Sequence, residues 1–84
     1  MAAPRWLEPE WAHPAWVRAL TTTRCGGVSQ KPFDSWNLAT HVGDDPQLVA
    51  HNRALLRDAA QLPGEPLWLT QVHSCTVVTA EEIP

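Results

Sequence analysis

A histidine inside an apolar run is the first residue of this sequence with chemistry to offer. His73 stands in Gln71-Val72-His73-Ser74-Cys75. On a regular strand Gln71, His73 and Cys75 share one face, because side chains alternate with period two. A neutral imidazole so placed can ligate Zn²⁺ or Cu through one nitrogen while a neighbour orients the other. A catalytic metal site wants three protein ligands and an open position. The residue types therefore leave two readings, a metal ligand or a buried histidine satisfied by hydrogen bonds. Thr23-Arg24-Cys25-Gly26-Gly27-Val28-Ser29 sets a guanidinium beside a glycine turn, a combination able to receive phosphate or carboxylate. It matches neither the P-loop nor the dinucleotide fingerprint, and an arginine ion pair at a turn is the alternative. His41 lies between Asn37-Leu38-Ala39-Thr40 and Val42-Gly43-Asp44-Asp45. It sits next to a helix start, where free N–H groups favour anions; hydrogen bonding within the loop is the other reading. His13, among prolines, and His51, on a helix, read as surface side chains. Cys25 has no base placed beside it by the sequence, so a nucleophile is not indicated.

The elements that must position these residues separate into three blocks. Residues 1–14 hold three of the eight prolines and two of the five tryptophans. Proline removes an N–H donor and restricts its predecessor, so this is an extended leader, with Trp6 and Trp11 packing on other parts. Residues 15–84 form the portion of the domain that follows. Trp16 to Arg24 favours a strand through β-branched and aromatic content, and Gly26-Gly27 breaks it. Asp45 to Gln61 predicts a helix, with Asp44 or Asp45 as cap and Pro46 in the first turn. Leu48, Asn52, Leu55, Leu56 and Ala59 form its inward face, with Arg53 and Arg57 on a flank. Leu62-Pro63-Gly64 ends it. The following segment, Pro66 to Ala80, predicts one strand or two with a kink, covered on both faces. A few strands and one helix leave apolar faces that need further layers. The sequence thus reads as the opening third of a larger α/β structure.

Composition bounds the function. The chain has 84 residues, 44% hydrophobic and 18% charged, which is globular composition. Six Lys and Arg against nine Asp and Glu give a net charge of −3. That balance argues against a nucleic-acid partner or an anionic membrane surface. No run approaches the roughly 18 apolar residues of a membrane helix, and the start of the chain has no signal-peptide pattern. Two cysteines do not make a disulfide scaffold. A reduced, soluble, cytoplasmic protein is expected.

Taken in order, five short blocks resemble a known family. They are Thr23-Arg24-x-Gly26-Gly27-Val28-Ser29, Ser35-x-Asn37-Leu38, His41-Val42-Gly43-Asp44, Asn52-Arg53, and Trp68-Leu69-x-Gln71-Val72-His73. Together they resemble the N-terminal part of the laccase-domain proteins. That family was once called multicopper polyphenol oxidase and is better described as purine nucleoside phosphorylase with adenosine deaminase activity. The chain departs from the usual pattern at Trp36, Ala39 and Ser74. The resemblance implies an α/β (α+β) fold, a mixed β-sheet flanked by helices and related to certain cysteine hydrolases, here as an incomplete N-terminal portion. It also implies that His73 is one of three metal ligands, the Cys and second His coming from segments beyond this sequence. Cys75 does not inherit the Cys role.

The implied activity is phosphorolysis of adenosine, inosine, guanosine and methylthioadenosine, together with adenosine deamination. Its cofactor is Zn, with Cu as the alternative, and its partners are purine nucleosides and phosphate. Such a site needs an anion subsite and a proton donor to the departing base. Arg24 with the Gly26-Gly27 turn, and His41 near the helix N-terminus, are the candidates for phosphate or ribose. Asn37 and Gln71 can hold the nucleoside through amide hydrogen bonds. Arg24, His41, Gln71 and His73 are expected in one hollow, with His73, Arg24 and His41 as the catalytic set. Copper-dependent phenol oxidation is the competing activity, although four scattered histidines are few for several coppers. A non-catalytic interaction module or truncated product is the third reading, and the chain alone is expected to be inactive.

Overall fold

The first contact made by the Pro-rich leader is a strand pairing. In the computed structural model, which describes residues 3–70 and 74–79, β1 (Trp6–Leu7) runs antiparallel to β2 (Thr21–Thr22). Trp6 faces Thr22 and Leu7 faces Thr21. Thr23 N–H donates to the Arg5 carbonyl and Arg5 N–H to the Cys25 carbonyl, so pairing continues irregularly toward the glycines. Gly26 has φ +115, and a side chain there would strike the backbone of Ala3 and Pro4. The glycine lets the leader lie directly on the turn. Of the strand expected from Trp16 to Arg24, only Thr21–Thr22 enters the ladder. Its start is bent instead by the Val17 N–H donating to the Pro14 carbonyl, because the short leader offers few residues to pair with.

The helix α1 (Pro46–Ala59) begins as the sequence predicts. Asp45 caps it, its carboxylate accepting from Gln47 N–H at 2.8 Å, and Pro46 occupies the first turn. Its end lies nearer than Leu62-Pro63-Gly64. Gln61 takes a left-handed conformation at φ 55. The Gln61 N–H then bonds to the Asp58 carbonyl and the Leu62 N–H to the Arg57 carbonyl. These paired bonds satisfy carbonyls that the last turn would leave open. Arg18 donates to the Ala60 carbonyl at 2.9 Å, adding a cation where the helix dipole favours one.

The inward face of α1 keeps Asn52 and Leu56 of the predicted one but turns toward Val49. Val49, Asn52 and Leu56 are buried, whereas Leu48 and Leu55 are half-buried and Ala59 is exposed. Trp36, Leu56 and Ala60 form the apolar centre, flanked by Trp6, Leu20, Leu38, Leu62 and Trp68. The indole of Trp36 is 3% exposed. Its N–H donates to the Asn52 carbonyl at 2.9 Å, so the bulk and the polar edge are both accommodated. Trp11, by contrast, is half exposed and stacks loosely on His13, with 4.9 Å between ring centroids.

Segments 66–70 and 74–79 form no strand, and Leu67, Leu69 and Val77 are exposed. Among the described residues no neighbouring strand offers N–H and C=O partners to this segment, and a strand needs such a ladder. Residues 71–73 lie outside the described part. The architecture is α/β, with a two-stranded antiparallel sheet and one helix among the described residues. Among the described residues no helix is long and apolar enough to cross a membrane.

The shift of the helix face has a measurable consequence. Leu56→Ala should lower the unfolding free energy by about 2–4 kcal/mol in urea titration, while half-buried Leu55→Ala should cost about 1 kcal/mol. Equal effects would mean that the two positions share the core.

Candidate active site

Consecutive residues of α1 face two different tasks. Asn52 is fully buried, its Oδ1 accepting from Val28 N–H and its Nδ2 donating to Ser29 Oγ and the Asn37 carbonyl, each at 2.8 Å. Gly27 is packed so tightly that a side chain would strike the Ser35 carbonyl, Asn52 Oδ1 and Trp36 Cα. Arg53, one step around the helix, points to the other side of the 37–44 loop. Its Nε donates to the Leu38 carbonyl at 2.9 Å, and its guanidinium carbon stands 3.9 Å from the Trp68 ring centroid. That distance is well within cation–π range. Trp68 is held in turn by its indole N–H on Glu65 Oε1 at 2.6 Å, and the other Glu65 oxygen accepts from Arg57 at 3.0 Å.

These contacts shape a hollow of about 350 Å³ lined by Leu38, Thr40, His41, Arg53, Trp68 and Thr70. It combines an exposed imidazole, a guanidinium fixed through one edge, two hydroxyls and an aromatic face. Among the described residues Arg53 forms no ion pair, unlike Arg18, Arg24 and Arg57. A fork of donors beside an aromatic plane suits an anion next to a flat ring. Thr70 precedes Gln71 directly in the chain. Gln71 and His73, proposed from the sequence as substrate and metal contacts, lie outside the described residues.

Arg24 and His41 do not share a hollow. Arg24 donates to Asp34 at 3.0 Å with its side chain 76% exposed, and it faces a separate cleft of about 530 Å³ with Phe33, Asp34 and Val42. The cause is local. The Arg24 carbonyl receives the N–H groups of Ser35 and Trp36, which draws the 31–36 loop to it and brings Asp34 within reach. The N–H groups of Gly26 and Gly27 both donate to Ser35 Oγ at 3.2 Å, so the glycine turn is spent on packing rather than turned toward a ligand. Asn37 is similarly engaged. Its Nδ2 donates to the Ala39 carbonyl and Asp44, and its Oδ1 accepts from Ala39 N–H. Holding a nucleoside would mean giving up these bonds.

The sequence reading gave Arg53 and Trp68 no role, although both stand in the recurrent blocks. The signal was the position of Arg53 on a polar flank of the helix and of Trp68 just before the Gln71–His73 block. Their meeting depends on the chain reversal at Gln61 and the Glu65 contacts, which no local pattern records. Cys25 and Cys75 are free and exposed. Among the described residues no three His, Cys, Asp or Glu side chains come together as a metal-holding group.

Among the described residues the one shifted carboxyl is that of Asp44. The Ser29 hydroxyl, which donates to its Oδ2, holds the carboxyl below the ordinary value of 3.8, helped by the Asn37 amide and Asp45 N–H and opposed by desolvation. The unfolded chain takes up this proton at a higher pH than the folded one. The stabilisation is therefore present above pH 3.8 and is lost as pH falls through the lower folded value. Denaturation midpoints followed into acid should fall more steeply for the natural chain than for Asp44→Asn.

Residues 18–84 match the family model described as multi-copper polyphenol oxidoreductase laccase. A purine nucleoside phosphorylase of Pseudomonas aeruginosa is 57% identical over 76 residues, covering 90% of this chain and 31% of that protein. One of Escherichia coli is 49% identical over 70 residues, covering 83% of this chain and 29% of its own. The chain thus spans less than a third of the length of the curated relatives it matches. A crystal structure of a Neisseria meningitidis protein superposes with a TM-score of 0.65 at 48% identity, over 69% of this chain and 24% of that one. With the glycine turn, the capped helix and the Arg53 hollow all inside the matched span, the chain belongs to the multi-copper polyphenol oxidoreductase laccase family.

Proposed function

We propose that this chain supplies part of the active site of a purine nucleoside phosphorylase, with His41 and Arg53 contacting phosphate or ribose and Trp68 lying against the purine. The observation that carries the reading is the hollow itself, where a guanidinium, an imidazole and an indole meet beside the chain that leads to Gln71 and His73. Curated relatives named purine nucleoside phosphorylase support it. In phosphorolysis a phosphate oxygen bonds to the ribose anomeric carbon as the bond to the purine nitrogen breaks, and the base leaves with the electron pair and takes a proton. Positive charge develops on the sugar, so a nearby bound anion lowers the barrier. Arg53 and His41 orient that anion, and an aromatic face accepts a flat base.

Arg24, three-quarters exposed and held by Asp34, is left an outer role at most in this reading. Gln71 retains its proposed nucleoside amide contact. His73 is assigned to a metal, Zn²⁺ before Cu, because imidazole suits both and phosphorolysis needs no redox change. Adenosine, inosine, guanosine and methylthioadenosine are the proposed substrates, with adenosine deamination as a second reaction of the same pocket. The two free cysteines suit a cytoplasmic setting.

The test is release of purine base from inosine by the whole protein, with and without phosphate. Arg53→Ala should lower kcat/KM for phosphate by about a hundredfold, and His41→Ala should act in the same direction. Ammonia released from adenosine without phosphate would report the deamination. Base release that ignores phosphate, or turnover of phenols with oxygen uptake instead, would overturn the reading.

A further inference from the structure

Among the described residues His41 makes none of the hydrogen bonds that hold its loop, yet the loop is fastened on both sides of it. On the N-terminal side, consecutive residues of α1 take consecutive carbonyls: Asn52 Nδ2 donates to that of Asn37 at 2.8 Å, and Arg53 Nε to that of Leu38 at 2.9 Å. On the C-terminal side, Gly43 at φ +99 turns the chain back to Asp44. There Asp44 Oδ2 receives the Ser29 hydroxyl and Asn37 Nδ2, the latter at 3.1 Å, while Oδ1 receives the Asp45 N–H at 2.7 Å. Ser29 Oγ also accepts from Asn52 Nδ2 at 2.8 Å. A closed set of side chains, Asn52, Ser29, Asp44 and Asn37, therefore joins the two ends of the 38–43 segment. Thr40, His41 and Val42 are exposed between those ends.

We propose that Asp44 and Asn52 are positioning residues for His41, joining the two ends of its loop so that the imidazole is presented at the Arg53 hollow. The inference rests on the proposed function for the meaning of that hollow, but the geometry of the clamp does not depend on the ligand. A loop fixed only at its ends adopts many apex conformations, and each lost end contact multiplies them. Asn52 reaches the loop from the buried side and Asp44 closes it from the helix start. Asn52 holds the Asn37 carbonyl and Asp44 the Asn37 side chain, and neither lines the hollow.

The experiment follows the His41 ring carbon–proton resonances by NMR in the full chain, alone and during titration with inorganic phosphate, with urea unfolding measured in parallel. The natural chain should give one sharp set of His41 signals that moves with phosphate. Asp44→Ala should still unfold cooperatively, with His41 signals broadened or split and phosphate binding weakened about tenfold, as when the group behind a ligand-contacting side chain is removed. Asp44→Asn and Ser29→Ala each remove part of the clamp. They should give intermediate broadening, and they decide the matter if Asp44→Ala does not fold. Sharp, unshifted His41 signals in those folded variants would overturn the positioning role. If phosphate leaves His41 of the natural chain unmoved while the variants still broaden its signals, the anion reading fails and the clamp stands.

Discussion

One buried carboxamide organises this chain. Asn52 has no exposure to solvent, and its side chain reaches two separate segments: the end of the glycine turn at Val28 and Ser29, and the loop at Asn37. Its own carbonyl takes the Trp36 indole. An amide buried without partners is costly, whereas one with every donor and acceptor matched fixes its neighbours in a single arrangement. The apolar centre is small, with Trp36, Leu56 and Ala60 as its buried members. The directional bonds of Asn52 therefore decide how the turn, the loop and the helix meet, and apolar burial supplies the less specific part of the attraction.

The helix was legible because its signals are local. Asp45, Pro46 and the 3–4 residue spacing of apolar side chains act within a few turns, and the structure starts α1 at Pro46 as they require. The inward face was less legible. The 3–4 residue spacing includes Asn52 and Leu56, which are buried, but also points to Leu55 and Ala59, where the packing buries Val49 instead because Asn52 has to meet the turn and the loop. A polar residue at the most buried position runs against hydrophobic patterning and becomes intelligible only from its partners. The strands were over-read for the opposite reason. β-branched and aromatic residues favour a pleated ladder, but pairing is decided by what lies alongside, and the leader brings only a short partner to Thr21–Thr22.

His41, singled out by its place before a helix start, lines the Arg53 hollow, whereas Arg24, singled out by the glycines beside it, does not. The glycines serve packing instead: Gly26 admits the leader, and Gly27 admits Asn52 and Ser35. Arginines with similar sequence credentials part company in three dimensions, Arg24 to an exposed pair with Asp34 and Arg53 to the face of Trp68. Side-chain type announces what a residue can bind. Which arginine remains available depends on carboxylates supplied by distant residues, and spacing does not encode that.

The two sides of the Arg53 hollow are built to different standards. The side carrying Leu38 and His41 hangs from buried amides, while the Trp68 side is held by Glu65, whose oxygens are divided between the indole N–H and the exposed guanidinium of Arg57. Exposed ion pairs of that kind contribute little and are screened by salt. The hollow therefore has a stiff wall and a compliant one. Swinging the indole outward to enlarge the hollow would give up the Glu65 bond, the Arg53 face and the packing of Trp68 on the apolar centre, while the framework behind the imidazole keeps its shape.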